Sequence, residues 1–217
     1  MTHMEAEISR LKEELKEMML LAISQLKKTQ ESLKTGDKNL AREVVFYEKR
    51  VNSLELKIDR DCENTLALLN PVANDLRLVL SVLKINSHLE RIADTAEGIS
   101  KYILENRLSN EIGLYQEIGI DRMFDISLQM LEEVSAAFEQ ENGSIARGVF
   151  AKDDLLDDIN RKAGDTTADF ITGHLPDIHQ ALFLLSAVRK LERVGDMATN
   201  IAEEIIFYIE AKVLKHK

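Results

Sequence analysis

The chain has almost nothing that would interrupt a helix. Its 217 residues include 2 prolines, 9 glycines and no tryptophan, and aromatic side chains make up only 5%. A β-sandwich or barrel needs frequent turn residues and aromatic, β-branched strands, so this scarcity argues against both. The single cysteine, Cys62, can neither close an intramolecular disulfide nor build a thiolate zinc site. No apolar run approaches the roughly 20 residues of a membrane-spanning helix. The first dozen residues carry too much charge for a signal peptide, so a cytoplasmic location is expected. Basic character is also missing. A net charge of −10 and a pI near 5.1 set the surface against a phosphate backbone, and no nucleic-acid partner is expected. There is no glycine-rich phosphate loop. None of His3, His88, His174, His179 and His216 follows a glutamate by three positions, so the Glu-x-x-His pair of ferritin-like di-iron bundles is absent.

What remains is helix-forming sequence. Apolar residues make up 45% and charged residues 30%, a balance that folds and stays in solution. Leu89, Ile92, Ala96, Ile99 and Ile103 step by three and four, and Leu191, Val194, Ala198, Ile201 and Ile205 do the same. The breaks fall at Gly36-Asp37, Pro71, Asn142-Gly143-Ser144 and Pro176. These marks predict an all-α chain of six long antiparallel helices at about 4–35, 38–69, 72–106, 117–141, 145–173 and 177–214. The sequence also repeats. Ala41-Arg42, Val44 and Pro71 recur 105 positions later as Ala146-Arg147, Val149 and Pro176, and Leu-Glu-Arg-Ile-Ala-Asp at 89–94 recurs 102 positions later as Leu-Glu-Arg-Val-Gly-Asp at 191–196. Two tandem three-helix bundles follow, one over 1–107 and one over 108–217, joined between Asn106 and Gly119.

The chemistry is expected in acids spaced by four. Glu90 and Asp94 form one such pair and Glu192 and Asp196 another; Asp153 and Asp157 precede the second, and Glu48 with Asn52 stands at the equivalent place before the first. Positions i and i+4 share a helix face, and like charges there cost about 0.2–0.5 kcal/mol per pair. Two such pairs on neighbouring helices would offer four oxygens to a cation such as Mg, Mn, Fe or Zn. The acids lie off the apolar stripe, so they should face outward, as a solvated surface or as a metal site on the outer faces of the bundles. A small residue, Ala93 or Gly195, precedes each aspartate and would let a neighbouring helix approach. No nucleophile, base and orienting group can be assembled from the spacing, and no enzymatic activity is expected.

The segments Pro71 to Arg77, Leu89 to Asp94 and Leu191 to Asp196, with Asn200-Ile201-Ala202-Glu203 behind, resemble the PhoU family of phosphate-specific transport regulators. The likeness spans nearly the whole chain, repeat included. It implies two three-helix bundles, often a homodimer, and a negative regulator of the phosphate-starvation response. Such a protein connects the ATPase of the phosphate ABC transporter with a sensor histidine kinase. The resemblance also implies iron, zinc or other divalent metal on Glu90, Asp94, Glu192, Asp196 and Asn200, with Asp153 and Asp157 as partners. Asn52 replaces an acid of the pattern and Gly98 stands where Asn200 recurs, so the first-repeat site is expected to bind more weakly. A metal-storage or redox bundle and a metal-independent coiled-coil scaffold are the competing readings.

Overall fold

The computed structural model describes residues 2–105 and 113–214, and every long element in it is a helix. The first repeat supplies α1 (His3–Thr35), α2 (Lys38–Leu69) and α3 (Ala73–Glu105). The second supplies α4 (Leu114–Glu117), α5 (Ile120–Glu139), α6 (Gly143–Gly148), α7 (Phe150–Gly173) and α8 (Ile178–Glu210). No strand occurs among the described residues. The expected boundary at 107/108, the end of the third helix at 106 and the first half of the connection from Asn106 lie outside them.

Local chemistry sets the ends. Thr2 and Glu5 form a reciprocal capping box at the start of α1, each side chain bonding the other's backbone N–H. Asp37 caps α2 by accepting from Asn39 N–H at 2.8 Å. The short α4 lies in the expected connection, and Gly119, at φ 75°, separates it from α5, a left-handed turn that glycine adopts without a Cβ penalty, so the fourth expected helix starts at Ile120 and not at 117. The fifth expected helix is broken once, at Val149, which splits α6 from α7. Pro176 sits in a single 3-10 turn, Leu175–Asp177, ahead of α8, which ends at Ala211 (φ 54°) rather than at the expected 214.

Helices α1, α2 and α3 pack together, as do α5, α7 and α8, and the two bundles meet where α3 lies on α8 and α1 on α5. The stripe Leu89, Ile92, Ala96, Ile99, Ile103 is buried, and so is Leu191, Val194, Ala198, Ile201, Ile205. Burying each large apolar side chain contributes about 1.5–3 kcal/mol, so these stripes hold the bundles. Across the α1–α5 seam, Lys27 pairs with Glu132 at 2.6 Å and Lys12 with Glu141 at 2.5 Å. Exposed pairs of this kind contribute about 0–1 kcal/mol and set register more than stability. Cys62 is buried and its thiol is pushed up to about 12, first by burial and then by neighbouring acids, which keeps it unreactive at neutral pH. Met18, Met19, Met123, Met130 and Met197 are packed in the core.

Candidate functional site

The acidic motif of the first repeat forms along the seam between α2 and α3. Glu48 is only 5% exposed and neither of its carboxylate oxygens accepts a hydrogen bond. Its pKa is pushed up to about 7, by burial first and then by the charges of Asp94, Glu97 and Glu90. Protonated, Glu48 can share its hydrogen with Asp94; ionised, it has no donor. Glu90 is partly buried and is raised by burial, then by Asp94 and Glu55. Asp94 and Asn52 are exposed, and Asn52 makes no hydrogen bond to the acids among the described residues. One turn further along, Asn86 donates to the Glu55 carbonyl at 3.0 Å and to Asp59 Oδ1 at 2.9 Å, tying the two helices together.

The second repeat builds the same seam from α7 and α8. Asp153, the counterpart of Glu48, is 7% exposed, while Asp157 and Asp196 are exposed. Glu192 is raised by burial and then by Asp196 and Asp157, opposed by Arg193 and by a hydrogen bond from Asn160. Asp196 is raised by burial and by Asp157, again opposed by Arg193. Asn200 turns its amide to the backbone carbonyl of Asp196 at 2.8 Å instead of to a carboxylate. Gly195 explains how closely α7 and α8 approach. A Cβ there would stand 2.3 Å from Leu156 Cδ1 and 2.9 Å from Asp153 Oδ1. Alanine in a helix gains about 0.5–1 kcal/mol over glycine, but overpacking costs about 1–3 kcal/mol. Gly195→Ala should therefore lose about 1–2 kcal/mol net and displace Asp153. Urea denaturation of the variant checks this, and equal or higher stability would show that the approach is not tight.

One expectation changes. The acids do not all face outward: Glu48 and Asp153 are buried in the interhelical seams, because the helix approach covers the position one turn before Asn52 and Asp157. The first repeat also has an acid outside the motif. Glu97, three residues after Asp94 on the same face, acts on Glu48, although it also pairs with Lys101 at 2.7 Å. Glu97 and Asn160 escape a search for acids spaced by four alone, whereas Glu55 satisfies it with Asp59 but lacks an acidic counterpart in the second repeat. The 105-residue offset that links Glu48 to Asp153 also links Glu55 to Asn160 and would have found both. Among the described residues no three histidine, cysteine, aspartate or glutamate side chains are already gathered as a metal site. The donor set is entirely oxygen, the kind a hard cation takes, and the buried carboxylate of Glu48 has no hydrogen-bond partner.

Known proteins share this fold. The PhoU domain model matches residues 15–103 and again 120–205, once per bundle. A phosphate-specific transport system accessory protein PhoU homolog from Thermotoga maritima is 29% identical over 216 residues, covering 98% of this chain and 91% of that protein. The crystal structure of PhoU from Pseudomonas aeruginosa superposes with a TM-score of 0.90 at 28% identity, covering 96% of this chain and 99% of that one. That of the phosphate transport system regulatory protein PhoU from Streptococcus pneumoniae gives 0.84 at 26% identity, over 99% and 100% of the two chains.

Proposed function

The chain belongs to the PhoU family, and from that premise we propose that it is a non-enzymatic regulator of phosphate uptake. It acts as an adaptor between the ATPase of a phosphate ABC transporter and a sensor histidine kinase, holding the phosphate-starvation response off when phosphate is plentiful. The observation that carries this reading is the match of one family model to both bundles, over chains of nearly equal length. Among the described residues no helix is long and apolar enough to cross a membrane, and in this reading contact with the transporter would be made through its cytoplasmic parts. The protein would work there as a homodimer.

The acidic seams are the metal sites in this reading. Glu48, Glu90 and Asp94 with Glu97 would hold a divalent or iron-type cation in the first repeat, and Asp153, Asp157, Glu192 and Asp196 in the second. Asn52 and Asn200 stand at the rims as neutral oxygens. A cation there neutralises the mutual repulsion of the acids and joins the two helices of each seam. The protein's own residues supply the rest: Gly195 permits the helix approach, and Asn86 fixes the register of the first seam.

Deletion of the gene tests the regulatory role. Starvation-responsive genes, read with a phosphatase reporter, should be expressed at high phosphate in the deletion strain and repressed again on complementation. Normal repression in the deletion strain would overturn the reading.

A further inference from the structure

We propose that the junction of the two bundles is a binding site for a phosphoryl dianion, formed by the two arginines of the duplicated motif. An open cleft of about 370 Å³ lies between α3 and α8, lined by His88, Arg91 and Thr95 on one side and Arg193, Asp196 and Asn200 on the other. Arg91 and Arg193 occupy the same position of Leu-Glu-Arg-Ile-Ala-Asp and Leu-Glu-Arg-Val-Gly-Asp, so packing α3 on α8 brings equivalent guanidinium groups to one cavity. The site exists only because the repeat folds back on itself. It shares Asp196 and Asn200 with the rim of the second seam, but its two arginines belong to neither seam's donor set, and it goes beyond the proposed regulatory role.

The charges in the cleft are unusual for this molecule. In a protein of net charge −10, many of the cations sit against acids, as Arg147 does on Glu210 at 2.6 Å and Arg50 on Glu17 at 2.6 Å. Neither Arg91 nor Arg193 makes an ion pair or a hydrogen bond among the described residues, although Arg91 is near enough to Glu90, and Arg193 to Glu192 and Asp196, to lower those acids' pKa, and both arginines are exposed. The nearby Lys84 is already paired with Glu204 at 2.8 Å. Asp196 is the one acid on the wall, and His88 is kept in its neutral form by burial and by Arg91. The lining is therefore net positive.

The donors suit a tetrahedral oxyanion. Each guanidinium presents a planar fork that grips two oxygens of a phosphate, and two forks match its two charges. Thr95 already gives its hydroxyl proton to the Arg91 carbonyl at 2.9 Å, and Asn200 uses one amide hydrogen on the Asp196 carbonyl. The other amide hydrogen of Asn200 remains for the ligand.

Isothermal titration calorimetry of the metal-free full chain with inorganic phosphate, and separately with glycerol 3-phosphate, tests the site. Both ligands carry the phosphoryl dianion, and tighter binding of one names its source as free phosphate or a phosphate monoester. Arg91→Ala and Arg193→Ala should each weaken binding about 10- to 100-fold, with circular dichroism unchanged. Arg60→Ala, on the exposed face of α2, should bind as the unaltered protein does. Asp196→Asn should bind more tightly, because it removes the one opposing charge. Absence of saturable binding by the unaltered protein, or undiminished affinity in both arginine variants, overturns the site. Either result leaves the phosphate-transport role standing, because the assay uses the isolated protein and the role is read in cells.

Discussion

Glu48→Gln is expected to stabilise the metal-free protein by about 3 kcal/mol at about pH 8 and by much less at about pH 5. The sign follows from the direction of the shift. Folding raises Glu48 from its ordinary 4.5 to about 7, so the folded state holds this proton more tightly than the unfolded chain does. Below the lower value both states are protonated and the carboxyl costs nothing. As pH climbs from 4.5 through about 7, the unfolded chain releases its proton easily while the folded one must ionise a buried group beside Asp94, Glu97 and Glu90. Stability contributed by the neutral carboxyl is lost across that window. A glutamine keeps the shape, carries no charge and offers Asp94 an amide hydrogen at every pH. Urea denaturation of both proteins with chelator present, at the two pH values, reads the difference directly. A stability difference that does not change with pH, or a variant weaker than the parent at high pH, would show that Glu48 is not held neutral in the fold.

The helices were legible because their information is periodic and local. Stripes such as Leu89 to Ile103 fix which face is buried whatever packs on it, and the structure buries every member of that series. The break inside the fifth expected helix was harder to see. Gly119 closes a connection that its glycines already marked, whereas at Val149 only the preceding Gly148 weakens the helix. The candidate site divides in the same way. Spacing by four placed Glu90 with Asp94 and Glu192 with Asp196 on common faces. Spacing alone cannot say how near the next helix lies, so the burial of Glu48 and Asp153 was out of its reach. Ala93 and Gly195 were the local signs of that approach. The cleft between α3 and α8 was invisible for a stronger reason. Arg91 and Arg193 are 102 positions apart, and only the docking of one repeat on the other brings them together.

Added divalent metal should reverse the penalty that Glu48→Gln removes. A cation that binds only the folded seams stabilises by about 2.7 kcal/mol at a free concentration 100 times its dissociation constant. For a chain of this size that is a rise of roughly 5–10 °C in melting temperature. Zinc, iron and manganese should act more strongly than magnesium, which holds its waters and demands near-ideal octahedral geometry. The gain should grow from about pH 6 to pH 8, because Glu48 must give up its proton before it can bind a cation. The two repeats should contribute comparably. Counting the residues of the motif alone leaves the first repeat one charge poorer at Asn52, but Glu97 restores a fourth carboxylate beside Glu48. Asp94→Asn and Asp196→Asn should therefore each remove about half of the metal-induced rise, and the double variant should remove nearly all of it. Melting curves of the four proteins, each titrated with zinc, manganese, iron and magnesium, decide the matter. A double variant that keeps the full rise would place the metal elsewhere, and no rise in the unaltered protein would make the seams a solvated acidic surface. A loss confined to Asp196→Asn would mean that Lys101 keeps Glu97 from the first site.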